Sequence, residues 1–419
     1  MCYYTVAVER CKQYPGLAKF GIALEWGSRG RWFESSNSDQ NTVVSMKLRC
    51  FSFYIIESGD YMKIIDIKTK LVGFQRRKVF KIAFGTGSDR SNRIYVKILT
   101  DCGIYGLGEA APAPLVTGET LDGVVAAIEH MKSVLVGMDP TDIAAIHSAM
   151  DKRLLFNPAA KAAIDVACYD IIGKQMGRPV HKILGASTGI LQTDITIGID
   201  TIDEMVKECL ERVNEGFHIL KIKCGIDSKK DIAVLRQIRA AVGDKIDLRI
   251  DINQGYDKET ALYVLKEIEK LGISEAEQPL PFWDVHGMAE IKKLSPIPIM
   301  ADESVHTLEQ ARIVCEHDAA DILNIKFMKC GGIYKALQIS DIAAEYGKTC
   351  LVGCMSESKL AIAAAAAVVV AKDNIVSADL DSFFSFTDPE KGVTGGFTVD
   401  KDVITLSDGP GYGFDDYSF

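Results

Sequence analysis

From residue 193 onward, short runs of β-branched and aliphatic residues alternate with longer runs whose apolar positions fall three and four apart. The short runs read as strands over residues 193–199, 218–223, 247–253, a run ending at Glu277, 297–301, 322–326, 349–353 and 375–379. The longer runs read as helices over residues 203–216, 230–242, 258–271, 308–316, 334–346 and 360–370. Strand–helix alternation predicts a parallel sheet with right-handed crossovers. Seven or eight such units fit a closed (β/α) barrel better than an open doubly wound sheet. No Gly-x-Gly-x-x-Gly follows an early strand, so a dinucleotide site has no support.

Upstream, the pattern changes twice. Met62-Lys63-Ile64-Ile65-Asp66-Ile67-Lys68-Thr69 alternates as an amphipathic strand, and residues 93–99 and 103–110 continue a set of three strands. Helical spacing takes over from residue 121 to about 177, where Asn157 reads as an N-cap and Pro158 as the first helical position. Residues 62 to about 177 thus hold three strands followed by helices, ahead of the alternating strand–helix region. Residues 1–61 show little periodicity and a Gly, Ser and Asn cluster at 27–41. Trp32-Phe33-Glu34-Ser35 is spelled by TGG-TTC-GAA-TCC, which contains the common T-arm of a transfer-RNA gene. Residues 1–61 therefore read as an extension, either disordered or translated upstream sequence, with Met62 as the true start.

Of 419 residues, 47% are hydrophobic and 25% charged, enough for a large packed core. Lys and Arg number 48 against 57 Asp and Glu, a balance that argues against nucleic-acid binding. The longest apolar run, residues 360–371, falls short of the roughly 18 needed for a membrane span. No signal-peptide apolar region is evident at the N-terminus. Eleven cysteines without a CxxC pair read as free thiols in a reducing cytoplasm.

The chemistry lies in the polar residues at the strands' C-terminal ends, the face where barrel enzymes build their sites. Lys221 and Lys223 end one strand, and a side-chain period of two turns both inward. Asp251 and Asn253 end the next, then Glu277 in Glu277-Gln278-Pro279, Asp302 in Ala301-Asp302-Glu303-Ser304, and Lys326 in Asn324-Ile325-Lys326. Singly, such an Asp is usually a turn or cap residue and such a Lys is solvated. Three carboxylates on consecutive strands, however, would converge and repel at a cost of several kcal/mol. A divalent cation resolves the conflict, and oxygen-only ligands favour Mg²⁺ or Mn²⁺ over zinc. Lys223, two strands before Glu277, and Lys326, two strands after it, would face each other across the cation. A metal-bound carboxylate substrate would then expose its α-carbon to a base on each side. Removing the α-proton gives a dianionic enediolate, whose charge a metal stabilises. A lysine with a pKa of about 10.4 is a poor base at neutral pH; the cation and Lys221 should lower it. Two opposed bases give a 1,1-proton transfer that inverts the stereocentre.

These motifs, in this order, resemble the enolase superfamily, muconate-lactonising subgroup. The resemblance runs from about Met62 to the C-terminus and includes Gly106-x-Gly108-Glu109-Ala110. It implies an enolase-like α/β fold: a modified (β/α)7β TIM-type barrel over residues 185–384 and an α+β capping domain over 62–184, completed by about 385–419, whose loops close over the barrel mouth. It also implies one Mg²⁺ per active site on Asp251, Glu277 and Asp302, with Asn253 and Glu303 in support and Lys223 and Lys326 as catalytic bases.

Asp379-Leu380-Asp381 ends the last barrel strand. Alone it is either an acidic turn or two carboxylates on one side, facing a cationic group. It resembles the feature that marks the dipeptide epimerases of this subgroup, where it holds the α-ammonium of the N-terminal residue, a compact cation with three donors. The resemblance implies epimerisation of a dipeptide's C-terminal residue, with Lys221 and Thr196 also in contact with substrate. Thr196 has an ordinary reading too, as a strand threonine. L-Ala-D/L-Glu, from peptidoglycan recycling, is the leading substrate. Gly85, however, stands about where some L-Ala-D/L-Glu epimerases carry a capping-loop arginine. Arg90 or Lys81 could replace it, and Phe84 could instead favour an apolar side chain. Cys354 reads as a buried thiol.

Two other readings stay open. One is a muconate cycloisomerase or o-succinylbenzoate synthase-like enzyme, which has no ammonium to hold. The other is a catalytically inactive barrel acting as a binding protein, which loss of either lysine or of a ligand would favour, and none is missing. The expected partner is a small-molecule dipeptide, with no nucleic acid and no membrane, and homo-oligomer formation is left open. Mass spectrometry of the natural protein is expected to return no peptides between Cys2 and Lys47; abundant ones would end the upstream-sequence reading.

Overall fold

The computed structural model describes residues 62–415 except Phe80 and Phe84, so the expectations for residues 1–61 and for Phe84 lie outside the described residues. Strands β1 (Ile64–Gln75), β2 (Arg90–Thr100) and β3 (Tyr105–Ala110) form an antiparallel sheet in that order. Helices α1 (Leu121–Leu135), α2 (Ile143–Arg153) and α3 (Pro158–Met176) follow. The sheet lies directly on α3, and Gly106 and Gly108 make that approach possible. A Cβ on either would fall 1.9 Å from a helix carbonyl oxygen, that of Ala167 or Ala163. Glu109 takes the opposite parity. Its buried carboxylate accepts from the Ser358 amide (2.7 Å), the Ser358 hydroxyl (2.6 Å) and the Ala361 amide (3.1 Å), at the start of a barrel helix.

Asn157 departs from its expected role. It occupies the N-cap position of α3 in a left-handed conformation (φ 56°) and makes no capping bond. Its side chain instead donates to the Leu155 carbonyl, and Glu119, distant in sequence, takes over the cap by accepting from the Ala159 and Ala160 amides. A full carboxylate suits a helix N-terminus better than an amide does.

The barrel strands are β4 (Ile195–Ile197), β5 (Ile219–Lys223), β6 (Asp247–Asp251), β7 (Ile273–Glu277), β8 (Ile299–Ala301), β9 (Ile322–Ile325), β10 (Thr349–Gly353) and β11 (Ile375–Asp379). They lie side by side in sequence order, and all pairings are parallel. Between β11 and β4 the ladder gives way to three bonds: Asp194 amide to Ala378 carbonyl (3.4 Å), Leu380 amide to Thr193 hydroxyl (2.8 Å) and Thr196 amide to Asp381 carboxylate (2.6 Å). Helices α4 (Ile202–Asn214), α5 (Ser228–Val242), α6 (Lys258–Glu267), α7 (Val285–Leu294), α8 (Leu308–Glu316), α9 (Phe327–Cys330), α10 (Ile333–Glu345) and α11 (Lys359–Val369) connect the strands. Every strand but the last leads into a helix, which makes the (β/α)7β architecture. Helix α7 has no counterpart in the sequence reading, because Gly287 and His286 interrupt its short apolar stripe of Met288 and Ile291.

Many acidic residues in the strand–helix loops are accounted for locally. Asp227, Asp257 and Asp284 accept from first-turn amides of α5, α6 and α7. The chain after β11 returns to the capping layer, where the Thr387 amide donates to Gln75 (2.9 Å) and the Tyr412 hydroxyl to Val166 (3.2 Å). Among the described residues no helix is long and apolar enough to cross a membrane.

Because a methyl at Gly108 must displace helix backbone, Gly108→Ala is expected to destabilise the protein by about 1–3 kcal/mol. Denaturant unfolding checks this, and an unchanged midpoint would contradict the close approach of β3 to α3.

Candidate active site

A cavity of about 470 Å³ opens at the C-terminal ends of the barrel strands. Thr196, Lys221, Lys223, Asn253, Asp302, Glu303, Lys326, Asp379 and Asp381 line it from the barrel. Arg76, Lys81, Gly85, Arg90 and Leu115 line it from the capping domain. Asp251 and Glu277 do not line the cavity; they sit behind the lysines and are almost wholly buried.

Strand parity explains the convergence. Residues two apart share a face, so Lys221 and Lys223 on β5, Asp251 on β6, Glu277 on β7 and Asp379 on β11 all project inward. Lys223 ends β5 and Lys326 follows β9, four strands apart in an eight-stranded ring and hence on opposite sides of it. Gly353 on β10 leaves room for Lys326; a Cβ there would fall 2.9 Å from the lysine's Cε.

The three lysines share their carboxylate partners. Lys223 Nζ lies 2.5 Å from Asp251 Oδ2 and 3.1 Å from Asn253 Oδ1. Lys221 Nζ bridges Glu277 (2.6 Å), Asp379 (2.7 Å) and Asp251 (3.1 Å). Lys326 Nζ lies 2.7 Å from Asp302 Oδ2 and 3.9 Å from Glu277. Ammonium groups thus stand between Asp251, Glu277 and Asp302. Among the described residues, the trio whose ligand atoms all fall within 4.8 Å of one another is instead Cys354, Asp379 and Asp381.

The charges do not balance evenly. Burial opposes ionisation of Asp251 and Asp302, but their lysine partners hold both below the usual carboxylate range. Burial, reinforced by the Asp251 charge, pushes Glu277 up to about 8. Burial and the charges of Asp302 and Asp251 push Glu303 up to about 7. Glu303 Oε2 is buried and has no hydrogen-bond partner. Burial and the Lys221 charge act to lower Lys326, but Asp302 and Glu277 outweigh them and hold the ammonium form.

Asp379 and Asp381 lie side by side above Lys221. Asp379 is held below its ordinary range by Lys221 against the effect of burial, whereas burial and then the Asp379 charge raise Asp381. Thr196 lines the cavity, and its amide donates to Asp381, so it orients that carboxylate. Cys354 is buried with Sγ 3.9 Å from Asp381, and burial raises its thiol well above the usual range.

Sequence reasoning missed three residues that organise the site. Asn324 donates to Glu277 (2.8 Å); its signal was its inward parity with Lys326. Gln278 leaves β7 with a positive φ of 37°, and its Oε1 accepts from the Asp302 amide (2.9 Å) and the Ser304 amide (3.2 Å). Lys329 is wholly buried against Asp302, and its signal was the Lys326-x-x-Lys329 spacing.

A ring of buried carboxylates and lysines at the mouth of a capped (β/α)7β barrel defines a class of protein, and family comparison agrees. Residues 64–185 match the mandelate racemase/muconate lactonizing enzyme N-terminal domain, and residues 204–415 match the enolase C-terminal domain-like family. The chain belongs to the mandelate racemase/muconate lactonizing enzyme family of the enolase superfamily. It is 40% identical to an L-Ala-D/L-Glu epimerase of Clostridium acetobutylicum, over 84% of this chain and 99% of that protein. A dipeptide epimerase of Enterococcus faecalis, solved with Mg and L-Leu-L-Tyr, superposes with a TM-score of 0.82 at 37% identity, covering 84% of this chain and 99% of that one. A substrate-liganded L-Ala-D/L-Glu epimerase of Bacillus subtilis gives 0.83 at 36% identity, covering 85% and 100%.

Proposed function

We propose that the protein is a Mg²⁺-dependent dipeptide epimerase that inverts the α-carbon of the C-terminal residue. The observation that carries this reading is the pairing of two opposed, cavity-lining lysines with a separate carboxylate pair, Asp379 and Asp381. Asp379 and Asp381 hold the substrate's α-ammonium. That orientation sets its α-carbon between Lys223 and Lys326. One lysine removes the α-proton, giving an enediolate, and the other returns a proton to the opposite face. Lys221, among Asp251, Glu277 and Asp379, supplies a fixed positive charge beside the developing negative one.

The donor set fits a hard divalent cation. Asp251, Glu277 and Asp302 would hold it, with Asn253 and Glu303 in support. Raised Glu277 and Glu303 carboxyls, and the unpartnered Glu303 oxygen, mark uncompensated negative charge there. When bound, Mg²⁺ supplies Lewis-acid stabilisation to the substrate carboxylate. A cycloisomerase would have no use for Asp379 and Asp381, and an inactive barrel would have no need of both lysines.

For the C-terminal side chain, L-Ala-D/L-Glu is the leading substrate. Lys81 and Arg90 line the cavity and are exposed, and their side chains make no ion pair among the described residues, so both are free to meet a carboxylate. Leu115 and Val116 on the same wall favour a second reading, a hydrophobic C-terminal residue. An Ala-Glu preference would put the enzyme in the cytoplasm, acting on peptides released in peptidoglycan recycling.

In deuterated water with Mg²⁺ and a dipeptide library, deuterium is expected at the α-position of the C-terminal residue, fastest for L-Ala-L-Glu. No exchange with any dipeptide, alongside turnover of a cyclohexadiene carboxylate, would establish the cycloisomerase class instead. Lys326→Ala is expected to slow epimerisation by about 10²–10⁴-fold while exchange persists for the enantiomer that Lys223 serves. Full epimerisation by that variant refutes Lys326 as a base.

A further inference from the structure

Lys329 lies one helical turn beyond Lys326, yet it does not line the cavity. Its side chain is wholly buried, and its ammonium group meets three oxygens: the Asp302 carbonyl (2.5 Å), Asp302 Oδ1 and the Asn324 carbonyl (3.0 Å). An ammonium has three donors and no acceptor, so no donor remains for a ligand. Gripping the carbonyl and the carboxylate of one residue closes a ring that fixes the carboxylate's rotation. Gln278 holds the Asp302 amide and Lys326 meets Oδ2, so the tie on Oδ1 belongs to Lys329.

The two oxygens of Asp302 therefore differ. Oδ1 is tied from behind by a group that never reaches the cavity. Oδ2 meets Lys326, whose side chain does line it.

We infer that Lys329 is a positioning residue that restricts Asp302 to one oxygen as a metal ligand and thereby selects Mg²⁺ against Ca²⁺. The inference rests on the reading of Asp251, Glu277 and Asp302 as the metal carboxylates. Ca²⁺ takes about six to eight oxygens in flexible geometry and readily accepts both oxygens of a carboxylate, whereas Mg²⁺ demands near-octahedral coordination. A carboxylate free to rotate can offer either mode; one tied through Oδ1 offers a single oxygen.

Calorimetric titration of the full chain with Mg²⁺ and with Ca²⁺, for the wild type, Lys329→Met and Lys329→Gln, tests this. In Lys329→Met, Mg²⁺ affinity is expected to fall by about 10–100-fold and Ca²⁺ affinity by less, so the preference for Mg²⁺ narrows. Lys329→Gln keeps a donor and is expected to lie between. A crystal structure of the wild type with Mg²⁺ needs no variant to fold, and it should show Asp302 engaged through Oδ2 alone with Lys329 still on Oδ1. Equal weakening of both ions in a folded Lys329→Met protein overturns the inference, as does two-oxygen engagement of Asp302 in the wild type. A wild type that binds no Mg²⁺ overturns the metal reading with it. Mg²⁺ bound at Asp302 with an unchanged ion preference in the variant overturns this inference alone.

Discussion

The structure is organised by one electrostatic constraint: carboxylates gathered where a barrel excludes water must be compensated on the spot. Isolated charges in such a setting are prohibitively unstable. Asp251, Glu277, Asp302 and Asp379 are each within reach of an ammonium group, and each ammonium comes from a strand or turn that the barrel holds rigidly. The layer below repeats the pattern. Arg249 on β6 faces Asp194 (3.2 Å), Glu275 (3.4 Å) and Asp247 (3.5 Å), where barrels of this type more often pack aliphatic side chains. Charge compensation therefore runs through two layers of the interior.

That arrangement was largely legible in the sequence because the barrel obeys parity. A period of two puts Lys221 with Lys223 on one face and Asp379 with Asp381 on one side, and the C-terminal strand ends single out Asp251, Glu277, Asp302 and Lys326. The (β/α)7β order was likewise legible, since β-branched runs and helical stripes alternate with few interruptions.

Residues whose role depends on chain reversal were not legible. Gln278 acts through a left-handed turn that no local pattern announces, and Lys329 sits on a single helical turn too short to show periodicity. The cap of α3 shows how a long-range contact can override a local signal. Asn157 has the right chemistry at the right position, but Glu119 supplies a stronger acceptor from nearly 40 residues away.

The pairing of Glu109 with the start of α11 has a mechanical consequence. Arg93 stacks between Phe74 and Phe386 and lies 3.3 Å from Glu109, while Tyr95 meets Ser358 at 2.6 Å. Pulling the three-stranded sheet away from the seventh strand–helix unit would strand a buried anion and a buried cation together. The capping sheet and that unit are therefore held to each other by buried polar bonds as well as by apolar packing.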